Sequence, residues 1–284
     1  MTRRYRVGPG EFHSTPPVQP SNDVDLRGLR ERHWRLLSLV AEHALLDSES
    51  AAELMFGSRP AAVRHLQALE RAGLVWRFVR DDDRTHRAFY EISTNGVHTL
   101  TARTRASGLP VPVNLGGAHR DQYVTNHVHV GLVRAAKASE GRAWLYSWHR
   151  GVEAAVRVRQ LGISSVHPQA AGTWLENGRV LRFLLHVDDD RHALSSEPPS
   201  AAQALAGYRL GRTGIPATTL LVLAATAERE AELHRSLAAQ PLPVPVAATT
   251  PQRLYALGDP SAEIWTRTST EPGRLVRLID VAPH

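Results

Sequence analysis

The residues best suited to chemistry in this sequence are two arginines and an amide spaced three and four apart: Arg64, Gln67 and Arg71. Ser58 and Arg59 stand just ahead of them. At 100° per residue the three share one side of a helix with the small side chains of Ala61 and Ala68, while Val63, Leu66 and Leu69 lie on the other side. A slim face of guanidinium and amide groups fits a major groove, where it donates to guanine, adenine or phosphate. The chemistry implied there is recognition, not bond breaking. A second basic group, Arg77, Arg80, Arg84, His86 and Arg87, surrounds Asp81-Asp82-Asp83 and suits contacts to a phosphate backbone. The three aspartates would oppose such contacts if they faced the same way. A third group, His186, Asp188, Asp190 and His192, holds donors that suit zinc or manganese. The stretch from Asp188 to His192 reads as leaving a strand, so it is taken as a solvated turn and no metal is assigned.

The elements that must position these groups are readable from periodicity and punctuation. An apolar stripe of Leu29, Trp34, Leu37, Val40, Ala41 and Ala44 predicts a helix over about 29–46. Asp47 or Ser48 can cap a short helix, Glu49–Phe56, which Gly57 ends. Ser58 caps the next helix, with Pro60 in its first turn and Gly73 stopping it after Ala72. Two runs, Leu74–Val79 and Arg87–Ile92, flank the aspartates and read as a hairpin. Thr94 is then expected to cap a last helix, Asn95–Arg105. A short second helix, a tight turn, a third helix and a hairpin make the winged helix-turn-helix pattern over 26–106, with helix 3 as the reader and the hairpin as the wing. Winged helices also serve as protein-protein modules, and an arginine-rich face is sometimes merely solvated.

Composition sets the outer bounds. The 284 residues suffice for two domains, with 42% hydrophobic and 22% charged residues, as in globular proteins. The formal charge is +6 and the pI about 10.2, compatible with a polyanionic partner. Lys137 is the only lysine among 34 basic side chains. Arginine is therefore the default cation here, and a single arginine says less about phosphate recognition than it would elsewhere. There is no cysteine, which removes disulfides, thiolate zinc sites and cysteine nucleophiles. The start carries no apolar segment after its arginines, and the longest apolar run, Ile215–Ala227, is too short to span a bilayer. A cytoplasmic location without membrane partners is the expectation. No Walker loop, GxSxG or HExxH motif occurs, and no cofactor is implied.

Residues 1–25, with four prolines, read as a tail, and 107–118, rich in glycine and proline, as a linker. From 119 to 284 a helix over about 120–138 is followed by strand-like runs at 143–148, 180–187, 218–224, 244–248 and 263–267. Helical runs at about 200–210 and 227–239 alternate with them. The alternation predicts an α/β second domain.

Taken in order, Arg32–Phe56, Arg59–Val75, the helix-forming run His119–Ala136, Phe183-Leu-Leu-His-Val-Asp188 and Ile264-Trp-Thr resemble the replication-relaxation family of plasmid and mobile-element proteins. That resemblance implies a role in plasmid replication, relaxation or transfer, and a second domain like a PD-(D/E)XK nuclease core. Such cores place carboxylates on adjacent strands to hold magnesium and activate water. At the matching places this chain has Gln169 and His186, and only Asp188 keeps a charged oxygen. The expectation is a degenerate, catalytically inactive core without a catalytic residue.

These readings converge on a double-stranded DNA-binding protein, a transcriptional or replication regulator of a mobile element. Its expected contacts are Ser58, Arg59, Arg64, Gln67, Arg71, Arg77, Arg80, Arg84, His86 and Arg87, with the second domain serving homodimerisation or partner recruitment. The alternatives are a metal-dependent nicking or relaxation enzyme and a protein-protein interaction module.

Overall fold

The computed structural model describes residues 13–14, 26–79, 87–106, 119–160, 168–188, 205, 208, 218–268 and 274–282. The chain is mixed α/β and divides into two compact units, Met1–Tyr123 and Val124–His284. The division falls inside a helix beginning at His119, not ahead of it. The expected linker at 107–118, most of the expected tail and most of the helix at 200–210 lie outside the described residues.

In the first unit, α1 (Glu31–His43) buries Leu36, Leu37, Val40 and Ala41. It is shorter than its apolar stripe predicts, because Ala44 turns to a φ of 57° and Leu46–Asp47 become a strand, β2. α2 (Ser48–Ala51) starts on Asp47, whose Oδ1 accepts from Ser50 N–H at 2.7 Å, the expected cap. It then widens into a π turn over Ala52–Phe56. Gly57, at a φ of 70°, closes that turn with its N–H on the Ala52 carbonyl at 2.7 Å. Glycine takes this left-handed conformation without a Cβ penalty. α3 (Arg59–Arg71) ends in two bonds that satisfy its last carbonyls: Gly73 N–H to Glu70 O and Leu74 N–H to Leu69 O.

β3 (Val75–Val79) and β4 (Ala88–Ile92) pair antiparallel, with Val75 opposite Ile92 and Val79 opposite Ala88. β2 adds to the β4 edge, and His13–Ser14, which form β1 within the stretch expected to be a tail, add to the β3 edge. α4 (Thr94–Ala106) is capped by Ser93, not by Thr94. The Ser93 hydroxyl accepts from Gly96 N–H at 2.9 Å and donates to Gly73 O at 2.6 Å. One core joins Leu36, Leu37, Leu66, Leu69, Leu74, Tyr90 and Leu100.

The second unit is built on a seven-stranded sheet in the order β11-β10-β9-β8-β7-β6-β5. Its strands are β5 (Ala143–Arg150), β6 (Ala170–Glu176), β7 (Arg179–Asp188), β8 (Thr218–Ala224), β9 (Val246–Thr249), β10 (Trp265–Arg267) and β11 (Leu275–Val276). β7, β8 and β9 run parallel, and the remaining pairs are antiparallel. Asn177 and Gly178, both at positive φ, make the two-residue turn between β6 and β7, as such hairpins require. On one face α5 (His119–Ala138) sets Val124, Val128 and Leu132 against Trp174, Leu181 and Leu185, joined by Leu254 of α8 (Pro251–Leu257). On the other, α6 (Gly151–Gln160) and α7 (Ala227–Ala239) set Ala154, Val158, Leu233 and Leu237 against Leu184, Leu220 and Val222. α6 and β6 were not expected from the sequence. β6 is rich in alanine and glycine, residues of poor strand propensity.

Candidate nucleic-acid interface

α3 is held from behind and open in front. Ala62, Leu66 and Leu69 are buried, whereas Ser58, Arg59, Arg64, Gln67 and Arg71 are exposed. Val63, expected in the core, is only half-buried, and Ala62 takes its place one residue round the helix. Between the exposed long side chains, Ala61 and Ala68 keep the surface low. The Arg71 guanidinium lies back along its own helix, with Nε donating to the Gln67 carbonyl at 3.3 Å. The first-turn N–H groups of α3 are flanked by Arg59, and Ser58 makes no capping bond from its hydroxyl. Those free donors and the positive end of the helix dipole favour an anion there.

A histidine pair, which sequence reasoning missed, fixes this helix against α1. Arg30 N–H donates to His33 Nδ1 at 2.9 Å, so the neutral tautomer of His33 carries its proton on Nε2 and donates to His65 Nδ1 at 3.0 Å. His65 lies nearly flat on Phe56 of the π turn, with centroids 4.9 Å apart and planes 15° apart. Burial holds both imidazoles below the usual histidine pKa; Arg32 pushes both the same way, and His65 is lowered further by His33 and Arg64. α4 is tied to α1 by Arg103, which bonds Glu31 at 2.6 Å and sits 4.8 Å over the Trp34 ring. No spacing rule pairs residues 33 and 65, so only the fold reveals the contact.

The expected hairpin contacts divide. Arg77 is exposed on β3. Arg80, Arg84 and His86 lie outside the described residues. Arg87 is not a free cation: its guanidinium lies 3.6 Å from Asp47 and 3.3 Å from Glu49 at the start of α2. It anchors the hairpin base to α2, because Asp47 is buried beside it and acts as the helix cap. Arg87 thus has a structural role at the hairpin base, beside the phosphate contact expected of it.

In the second unit, the residues at the nuclease-like positions have structural partners. Gln169 Oε1 accepts from Val187 N–H at 2.8 Å, extending the β6–β7 pairing by one bond. His186 packs its ring edge against Tyr208 with centroids 5.7 Å apart. Asp188, 3% exposed, is gripped by Arg229 of α7 through Nε–Oδ2 at 2.7 Å and Nη2–Oδ1 at 3.0 Å. Arg229 also donates to Glu232 at 2.9 Å. Both carboxylate oxygens of Asp188 are thus committed to a guanidinium, the opposite of a magnesium environment. Among the described residues no group of three or more His, Asp or Glu is placed to hold a metal. Asp190 and His192 lie outside them. A cleft of about 320 Å³ lined by Arg142, Glu176, Asp259 and Arg277 also has its acids engaged. Glu176 takes bonds from Trp174 and Arg277, and Asp259 from Ser261.

No helix among the described residues is long and apolar enough to cross a membrane. No family model matches this chain, and no curated protein matches it. Among solved structures it has a likeness to TrmBL2, an archaeal chromatin protein whose structure is described as showing a novel mode of DNA binding. The identity is 13%, over 78% of this chain and 72% of that one, with a TM-score of 0.19. The functional reading rests on the geometry of α3.

Proposed function

We propose that this chain binds double-stranded DNA through α3, as a winged helix-turn-helix regulator of transcription or replication on a plasmid or mobile element. In this reading α2 with its π turn, Gly57 and α3 form the helix-turn-helix, and β3 with β4 forms the wing. The observation that carries it is the outward face of α3: Arg64, Gln67 and Arg71 in solvent, small residues between them, and Leu66 and Leu69 anchoring the helix from behind. Such a surface enters a major groove without steric obstruction and donates to base edges and phosphates. Arg59 at the helix start and Arg77 on the wing strand supply flanking backbone contacts.

The second unit serves homodimerisation or partner recruitment in this proposal and does not cut DNA. The Arg229 clamp on Asp188 and the sheet-extending bond of Gln169 support a nuclease-like core turned to structural use. The plasmid setting follows from the family resemblance of the sequence.

Duplex binding followed across a salt series tests the proposal. The logarithm of affinity falls linearly with the logarithm of salt, by about 0.9 for each phosphate neutralised. A full-length chain that shifts no random-sequence duplex at low salt is a protein-protein module instead.

A further inference from the structure

Among the described residues no helix covers the hairpin end of the second sheet on one face, and its side chains are of an unusual kind. Leu145 and Trp148 of β5 turn toward the α5 side of the sheet, where they pack on its core. The register slips between them: Leu145 stands opposite Trp174 and Ser147 opposite Thr173, leaving Tyr146 as an extra residue. Trp144, Tyr146 and Ser147 therefore stand on the other face. They are continued by Leu175 and Thr173 on β6 and by Val180 and Arg182 on β7. α6 and α7 cover Leu184, Leu220 and Val222 of that face but not this end. Trp144 is 52% exposed and Tyr146 76%, and Val180 and Arg182 are exposed beside them. No carboxylate belongs to these rows.

We infer that this face binds single-stranded nucleic acid, with bases stacked on Trp144 and Tyr146 and a phosphate held by Arg182. Exposed aromatic rings beside an arginine match a polyanion with flat bases, since stacking is tolerant of sequence and the cation takes the backbone. A second copy adding to the β5 edge is the rival occupant. The bulge at Tyr146 works against it, because a bulge bends and twists an edge strand out of register for pairing. The surface belongs to the second unit and uses none of the α3 residues, so this inference stands whether or not the duplex reading does.

The test uses the full-length chain carrying Arg64→Ala and Arg71→Ala, and a fluorescent oligothymidylate of about 12 nucleotides, within the usual site size. Anisotropy is expected to show binding that weakens about tenfold with Trp144→Ala and again with Tyr146→Ala, the range of one stacked base each. Trp144→Phe and Tyr146→Phe should retain most of the affinity. Arg182→Ala should lower the salt slope by about one. These side chains are exposed, and unchanged circular dichroism melts will show that the variants fold. Absence of oligothymidylate binding, or alanine variants that bind it as tightly as the parent protein, overturns the inference. So does sedimentation showing that Trp144→Ala dissolves a dimer while the oligonucleotide has no effect, which makes the face a protein interface.

Discussion

Arg229 reaches across from α7 and closes on Asp188 with two parallel bonds, of 2.7 and 3.0 Å, at a site where both side chains are almost fully buried. The pair ties α7 to the end of β7. A carboxylate so held is desolvated and bonded at both oxygens, which leaves it fewer lone pairs for a hydrated magnesium ion. Its consequence for stability is asymmetric. Arg229→Ala is expected to cost about 3–5 kcal/mol by stranding the Asp188 charge, whereas Asp188→Leu with Arg229→Met should recover most of that loss. Urea unfolding of the single and double variants measures both. A double variant no more stable than Arg229→Ala contradicts the account.

The same pair makes a prediction about catalysis. Supercoiled plasmid incubated with the purified chain and magnesium is expected to stay supercoiled, and Asp188→Asn to change nothing. Relaxation that requires magnesium and is abolished by Asp188→Asn would establish a nicking enzyme.

Gly96 sits where the α4 start crosses the end of α3. A Cβ there would lie 2.1 Å from the Leu74 carbonyl oxygen and 2.8 Å from Ile92 Cγ1. The first neighbour is backbone already bonded to Ser93 N–H, so it has little freedom to yield. Gly96→Ala should destabilise the first unit by about 3 kcal/mol, the upper part of the usual overpacking range. Thermal melts check this, and an unchanged midpoint would show that the α3–α4 junction is looser than described.

Acid should loosen both units. His129 is stacked on Trp148, with centroids 4.6 Å and planes 3° apart, and burial beside Arg150 pushes its pKa down to about 3. The folded value lies below the unfolded value of 6.5. This contribution is therefore complete above about pH 6.5 and is lost as pH falls toward 3, at up to about 1.4 kcal/mol per pH unit for one proton. His33 and His65 are shifted in the same direction, so the contact behind α3 weakens as pH drops below 6.5. Denaturant titrations from pH 7.5 to 4.5 should show stability falling. His129→Phe should flatten the second unit's share, and an unaltered slope in that variant would contradict the assignment.

How far the sequence reveals this molecule depends on the range of each interaction. The α3 face is legible because Arg64, Gln67, Arg71, Leu66 and Leu69 lie within one helix, where periodicity alone separates front from back. Asp47 as a cap and Gly73 as a stop are local too. β1 and β2, at two residues each, are too short to show any pattern. The β6–β7 hairpin did carry a signal, Asn177-Gly178, although the alanines of β6 obscure the strand before it. The bonds His33–His65 and Arg229–Asp188 join residues 32 and 41 positions apart, and nothing in either neighbourhood specifies the partner. The ion pairs of Arg87 are hidden for the same reason: its type suits phosphate, and its partners Asp47 and Glu49 are set by where β4 meets α2.

The most direct measurement compares the full-length chain with its Arg64→Ala, Arg71→Ala double variant on labelled duplex DNA across a salt series. Loss of two contacts should weaken binding by roughly 1–3 kcal/mol for each base contact or, for phosphate contacts, flatten the salt slope by about one each. These side chains are exposed, so the fold should be unaffected. A double variant that folds normally and binds duplex with unchanged affinity and unchanged slope would contradict the assignment of α3 as the DNA-reading helix.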